Sequence, residues 1–77
     1  MTEDDKTRVL RDLLDKLLRE HGDVKERVAE YQRRRWLSPG EELELRTLQR
    51  LKLRKKDAIV AVERELTVLE TTLKLDG

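Results

Sequence analysis

Two long runs of apolar residues, repeating at alternating steps of three and four, constrain this sequence more than any other feature. A helix turns once every 3.6 residues, so side chains at this spacing form one stripe that packs against a partner helix. The first run is Leu10, Leu14, Leu17, His21, Val24, Val28 and Tyr31. The second run is Leu45, Leu48, Lys52, Lys55, Ile59, Val62, Leu66, Leu69 and Leu73. The repeat predicts two helices, each with one buried stripe, here called the seam.

The short segment between the two runs carries the residues of a helix start. Ser38, Pro39 and Glu41 form an S-x-x-E capping box with proline at the first helical position, a combination typical of helix N-termini. Pro39 also disfavours helical backbone geometry at Ser38, which helps to end the preceding helix. The sequence therefore predicts that the chain reverses direction near Ser38.

The predicted fold is all-α: an antiparallel two-helix hairpin, similar to a coiled coil. We expect helix 1 over residues 3–36, a turn at 37–40 and helix 2 over 39–74. The whole chain of 77 residues, 1–77, forms a single domain in this interpretation. Thr2 is expected to cap the start of helix 1.

The position of the turn also predicts which seam residues face each other. With the reversal at residue 38, residues whose numbers add up to about 76 lie opposite one another. Apolar residues then meet near the turn and near the open end, whereas polar residues meet in the middle of the seam. The expected apolar pairs are Tyr31–Leu45, Val28–Leu48, Leu17–Ile59 and Leu14–Val62, and the expected middle pairs are Val24–Lys52 and His21–Lys55.

The polar residues in the middle of the seam have two interpretations. In the first, His21 and Lys55 lie at the seam edge and reach solvent, as the stem of Lys52 also can. In the second, the three residues form a polar layer that sets the register or responds to pH, because histidine changes charge in the physiological range. Gly22 follows directly, and a glycine costs about 1 kcal/mol inside a helix. Helix 1 therefore either breaks there or continues with a gentle kink, and the continuous helix is favoured.

A second set of apolar residues lies off the seam. These residues are Val9, Leu13, Leu18, Leu43, Leu53, Val60 and Val68. A two-helix hairpin of this size buries little apolar surface on its own. The simplest use of a second apolar face is a homodimer that forms a four-helix bundle. The alternative is that a different protein binds this face, helix in groove.

Composition narrows the class of protein further. Charged residues make up 45% and hydrophobic residues 36% of the sequence, a profile typical of long helices. The sequence has no cysteine, which agrees with a reducing cytoplasm. No apolar leader follows Met1, and no apolar run is long enough to span a membrane. We expect a cytoplasmic protein that does not insert into membranes.

The sequence offers no constellation of residues for catalysis or for a bound group. Its one serine, Ser38, and its one histidine, His21, are 17 positions apart along a predicted helix, or about 25 Å, too far for a catalytic dyad. A metal site built on His21 lacks a second strong ligand, since Lys25 occupies position i+4. Glycine-rich phosphate loops are also absent. We therefore expect no enzymatic activity and no cofactor or metal.

Basic residues concentrate around the predicted turn. Residues 25–56 contain eleven Lys or Arg and five Glu, whereas the rest of the chain contains seven Lys or Arg and twelve acidic residues. The candidate contacts to a phosphate backbone are Arg33, Arg34, Arg35, Arg46, Arg50, Arg54 and Lys56. Trp36 is the candidate stacking residue. In the competing interpretation, the consecutive arginines lie in the last turn of helix 1 and complement its dipole, and Trp36 packs against Leu37 and Leu43.

A Glu-His pair in helix 1, an acidic start to helix 2 and a Leu-Lys-rich stretch form a familiar pattern. The positions concerned are Glu20, His21, Val24, Val28, Glu41, Glu42, Leu48, Lys52, Leu53, Arg54, Lys56, Asp57 and Ile59. Over residues 14–62 the chain resembles the YdcH-like family of small bacterial proteins. It departs from the pattern at Gly22, where the family has a polar helix former, and at Lys55, where it has leucine; the segment 62–75 is also longer. The resemblance implies a cytoplasmic helical hairpin and implies no reaction.

These features predict a small helical interaction or oligomerisation module without catalytic activity. A homodimer is the first expectation, and a different protein partner is the second. Nucleic-acid binding by the basic turn is the alternative function, because phosphate contacts need clustered Lys and Arg side chains.

Overall fold

The computed structural model describes residues 3–76, and it describes side chains for residues 4–72. It contains two helices, α1 (Glu3–Gln32) and α2 (Pro39–Asp76), joined by residues 33–38. The helices pack along each other in a rod of 58 × 16 × 16 Å. The all-α hairpin is therefore confirmed. The expected cap at Thr2 and the seam side chain of Leu73 lie outside the described residues.

The start of α2 has the capping box that the sequence predicted. The backbone N–H of Glu41 donates to Ser38 Oγ at 3.2 Å, and the backbone N–H of Ser38 donates to Glu41 Oε1 at 3.1 Å. The N–H of Glu42 donates to the carbonyl of Ser38 at 2.9 Å, which is the first intrahelical bond. These bonds satisfy backbone groups that would otherwise lack a partner at a helix start.

Helix α1 ends at Gln32, four residues earlier than the expected end near residue 36. The N–H of Arg33 is shared between the carbonyls of Ala29 and Glu30, and the N–H of Arg34 donates to Tyr31 at 3.1 Å. This tightening is common in the last turn of a helix. The chain then has to cross to the second helix axis, about 8–10 Å away, and to reach Pro39 with non-helical geometry before it. These demands unwind the final turn.

The earlier end of α1 corrects the interpretation of the three consecutive arginines. Arg33, Arg34 and Arg35 lie in the connecting segment, and the last turn of α1 contains no basic residue. They therefore do not complement the dipole of α1 from within its last turn. At Gly22, in contrast, the predicted continuous helix is confirmed, because α1 runs through this residue without a break.

The apolar core consists of two separate clusters. The cluster nearer the open end contains Leu17, Ile59, Val62 and Leu66, with Leu10, Leu14 and Ala58 packed against it. The cluster nearer the turn contains Val24, Val28 and Leu48, with Tyr31 and Leu45 packed against it. Both clusters bring together residues that the register near 76 placed opposite one another. The gap between them contains the polar residues of the seam.

Candidate functional site

The seam residues line the contact between the two helices. Leu17, Val24, Val28, Leu48, Ile59, Val62 and Leu66 are buried. Leu10, Leu14, Tyr31, Leu45 and Leu69 are half-buried. Val28 is the most buried of the apolar core residues, at 3% exposure. The seam is thus occupied by contacts within the hairpin, and a partner has to bind elsewhere on the rod.

The polar residues of the seam lie between the two clusters and are half-buried. Lys55 Nζ lies 3.2 Å from Glu20 Oε2, across the two helices, and its side chain is only 22% exposed. His21 Nε2 is shielded from solvent and has no hydrogen-bond partner among the described residues. Lys52 is half-buried beside them. A shielded nitrogen without a partner costs free energy, so this layer weakens the middle of the hairpin.

A network of charged and polar side chains ties the two helices together near the turn. Arg27 donates to Glu44 Oε1 at 2.7 Å, and the hydroxyl of Tyr31 donates to Glu44 Oε2 at 2.6 Å. Arg34 pairs with Glu41 and also lies over the ring of Tyr31, 5.1 Å from its centroid. The network links the residues around the turn to each other. It pairs Arg34, one of the three consecutive arginines, with a carboxylate of the same chain.

The pKa values of two groups in this network are shifted. The hydrogen bond to Glu44 raises the pKa of the Tyr31 hydroxyl, together with desolvation. Hydrogen bonds from Ser38, first from its backbone, lower the pKa of Glu41, and Arg34 adds to the effect. A lowered carboxyl pKa means that the contribution of Glu41 to stability is present above the ordinary value of 4.5 and is lost as the pH falls through the folded-state pKa. The cap therefore keeps its charge at neutral pH.

The candidate phosphate contacts do not form one surface. All seven of these side chains are exposed. Arg46, Arg50 and Arg54 follow one another at helical spacing along α2, whereas Arg33 and Arg35 lie in the connecting segment. Lys56 is two positions beyond Arg54, about 200° further round the helix, and it lines a different groove together with Leu18 and His21. The basic character of this half of the rod is thus spread around it.

Trp36 is 75% exposed, so the expectation that it packs against Leu37 and Leu43 is wrong. Leu43 is itself 65% exposed. The reason is the early end of α1, which carries Trp36 out of the helix before the helix could bring the indole over α2. The only tryptophan of the sequence therefore projects from the connecting segment, between Arg35 and the half-buried Leu37.

An open groove runs along the outer face of α2. It is lined by Val60, Glu63, Arg64, Thr67 and Val68 and has a volume of about 510 Å³. The sequence singled out Val60 and Val68 as off-seam apolar residues but did not place them in a groove. The spacing i, i+3, i+4, i+7 of its first four lining residues is the signal that could have predicted it, since this spacing outlines a gap between side chains on a helix.

A second groove adjoins the first and leads to the polar layer. It shares Val60 and Glu63 with the groove on α2 and reaches Leu18 and His21 on α1, with a volume of about 380 Å³. Lys25, Lys52 and Lys56 also line it. The two grooves thus meet at Val60 and Glu63, and the three lysines give the second groove a positively charged border.

The described part of the chain has no group of three or more His, Cys, Asp or Glu side chains arranged to hold a metal ion. Neither described helix contains an apolar stretch long enough to cross a membrane. Comparison of the chain with protein-family models, with curated proteins and with solved structures found no match. The resemblance to the YdcH-like family stays a prediction.

Proposed function

We propose that this protein is a small cytoplasmic interaction module that associates with itself through apolar surface outside the seam, and that it catalyses no reaction. The observation that carries the proposal is the distribution of large apolar side chains. Nine of them are exposed, against seven apolar residues that are buried, among the described residues. Val60 and Val68 lie together in the open groove on α2 beside Glu63 and Arg64, and contiguous exposed apolar surface framed by charged residues is typical of protein interaction sites.

The low degree of burial inside the hairpin supports the same proposal. No described side chain is less than 2% exposed, even in the two clusters. The accessible surface is 6320 Å², whereas a compact monomer of 9.2 kDa exposes about 4,900 Å². The excess, about 1,400 Å² for one chain, is larger than the about 800 Å² that each partner buries in an interface of standard size. Association would remove this surface from water and stabilise the fold.

The test is the mass of the protein in solution, measured by sedimentation equilibrium over a wide range of concentration. We expect a species of twice the 9.2 kDa chain mass. We also expect a thermal midpoint that rises with protein concentration, since association stabilises the folded state by mass action. A monomer at all concentrations, with a midpoint independent of concentration, contradicts the proposal.

One observation favours nucleic-acid binding as a second candidate function. Trp36 is exposed in the connecting segment, beside the exposed side chains of Arg33 and Arg35. An exposed indole can stack on an unpaired base, and neighbouring arginines can contact the phosphates on either side. Single-stranded nucleic acid is therefore the form that this arrangement suits best.

The test of this candidate is fluorescence anisotropy of labelled single-stranded DNA and RNA at two salt concentrations. Binding through the segment is expected to weaken steeply with salt. It should also weaken by about 5- to 160-fold in Trp36→Ala, given the about 1–3 kcal/mol typical of base–aromatic stacking. Leu13→Ala, the truncation of an exposed apolar residue outside the basic residues 25–56, is the control and should leave binding unchanged. Absence of binding at low salt excludes this candidate.

A further inference from the structure

We propose that the outer face of α2, formed by Leu53, Val60 and Val68, packs against the same face of a second copy in antiparallel orientation. The turn of one hairpin then lies toward the open end of the other. This inference rests on the proposed self-association and adds the face and the orientation. The three side chains are 62%, 37% and 63% exposed, respectively.

The groove on this face is an open gap that a second helix can cover. Residues at positions i, i+3, i+4 and i+7 form the surface along which two packed helices meet. Val60, Glu63, Arg64 and Thr67 have this spacing and line the groove. Helix α1 contributes nothing to its lining, so the groove is left open by the hairpin itself.

A two-fold axis near Val60 brings the other residues of this face in one copy against the same face of the second copy. Antiparallel helices related by such an axis bring residue i next to residue 120 − i, because the axis maps Val60 onto itself. Leu53 of one copy then lies over Thr67 and Val68 of the second copy, and each large apolar side chain on the face meets an apolar or methyl-bearing neighbour. The face is thus self-complementary, as a two-fold interface requires.

The charged residues along the edges of the face also fit this arrangement. Lys56 of one copy lies beside Glu63 of the second, and Asp57 lies beside Arg64. None of these four side chains forms an ion pair among the described residues. The opposite side of the hairpin differs, because Glu20, Arg27 and Glu44 are already paired within the chain.

The orientation follows from the charge of the two halves of the rod. Parallel copies would also bring Lys56 beside Asp57, so the edges alone do not select a direction. Residues 25–56 carry eleven basic and five acidic side chains, and the rest of the chain carries seven and twelve. Parallel packing would place two basic halves side by side, whereas antiparallel packing pairs each basic half with an acidic half, which is electrostatically favoured.

The orientation can be measured by energy transfer between single dye labels, since the sequence contains no cysteine. Gly40→Cys places a label at the turn, where an added Cβ meets no atom within 4 Å, and Thr71→Cys places one on an exposed position near the open end. In the antiparallel dimer, two Gly40 labels lie about 60 Å apart along the axis, and Gly40 lies about 14 Å from Thr71 of the second copy.

Two mixtures of donor- and acceptor-labelled protein then decide between the orientations. We expect strong transfer from Gly40→Cys to Thr71→Cys and weak transfer between two Gly40→Cys proteins. Strong transfer between two Gly40 labels, or equal transfer in both mixtures, overturns the orientation while the dimer mass stands. A monomeric mass with no transfer in either mixture overturns the proposed function as well.

The face itself is tested by a matched pair of substitutions on α2. Val60 and Leu51 are both 37% exposed, and nine positions place them on opposite sides of the helix. Val60→Arg is expected to raise the dimer dissociation constant more than about tenfold, as for a residue at an interface centre, whereas Leu51→Arg leaves it unchanged. Circular dichroism verifies that both variants stay helical. Equal effects, or a larger effect of Leu51→Arg, overturn the assigned face.

Discussion

Leu17→Asp is expected to abolish both the helical fold and the association of the protein. Leu17 is 9% exposed and belongs to the cluster with Ile59, Val62 and Leu66. The substitution removes its apolar contacts and places a carboxylate without a charged partner among apolar side chains, at a combined cost of about 3–5 kcal/mol. A small domain has only about 5–15 kcal/mol of stability in total. The helical signal in circular dichroism and the dimer mass should therefore be lost together.

The matched control for Leu17→Asp is Leu13→Asp, the same change in the same helix. Leu13 is 41% exposed, so the new carboxylate stays hydrated and the expected loss is below about 1 kcal/mol. Urea unfolding followed by circular dichroism compares the two variants. An unchanged midpoint for Leu17→Asp would show that the seam described for α1 is wrong.

His21→Leu is expected to stabilise the hairpin. His21 Nε2 is shielded from solvent and has no hydrogen-bond partner among the described residues, and such a group costs about 1–3 kcal/mol. Leucine fills the same position without a polar atom and joins the cluster around Leu17 to the cluster around Val24. A gain of about 1 kcal/mol in stability raises the thermal midpoint of a domain of this size by about 4–8 °C. The midpoint of His21→Leu should therefore rise by about 4 °C or more. Differential scanning calorimetry measures it.

The control for His21→Leu is Arg19→Leu, which adds leucine at an exposed position of the same helix. Its expected effect is within about 0.5 kcal/mol, as for most surface substitutions. If His21→Leu lowers the thermal midpoint, the histidine makes a stabilising interaction, and the cost assigned to its shielded nitrogen is wrong. If the midpoint rises, the polar layer is retained at the expense of stability.

The two helices and their pairing could be predicted from the sequence because they depend on short-range and periodic signals. Apolar residues at steps of three and four fix one buried stripe on each helix. The capping box at Ser38 and Glu41 needs only the residues that form it. The position of the turn then determines which seam residues meet, from Tyr31 opposite Leu45 to Leu14 opposite Val62.

The end of α1 and the environment of Trp36 were predicted wrongly because both depend on the path between the helices. Periodicity indicates where a helix is favoured, but the distance between two packed axes decides where the chain has to leave it. That crossing carries Arg33, Arg34 and Arg35 out of α1 and leaves Trp36 exposed. The sequence is compatible with a packed and with an exposed Trp36 indole, and no pattern in it distinguishes the two.

The sequence by itself determined an all-α hairpin, its register and the excess of apolar residues over what one seam can bury. Only the tertiary structure decided where that excess lies, because a helix position is covered or open according to the side on which the other helix packs. Val60 and Val68 border an open groove for this reason, whereas Val62 and Leu66, on the other side of the same helix, are buried against α1. The same packing separated Lys56 from the arginines near it in sequence, since two positions on a helix point in nearly opposite directions.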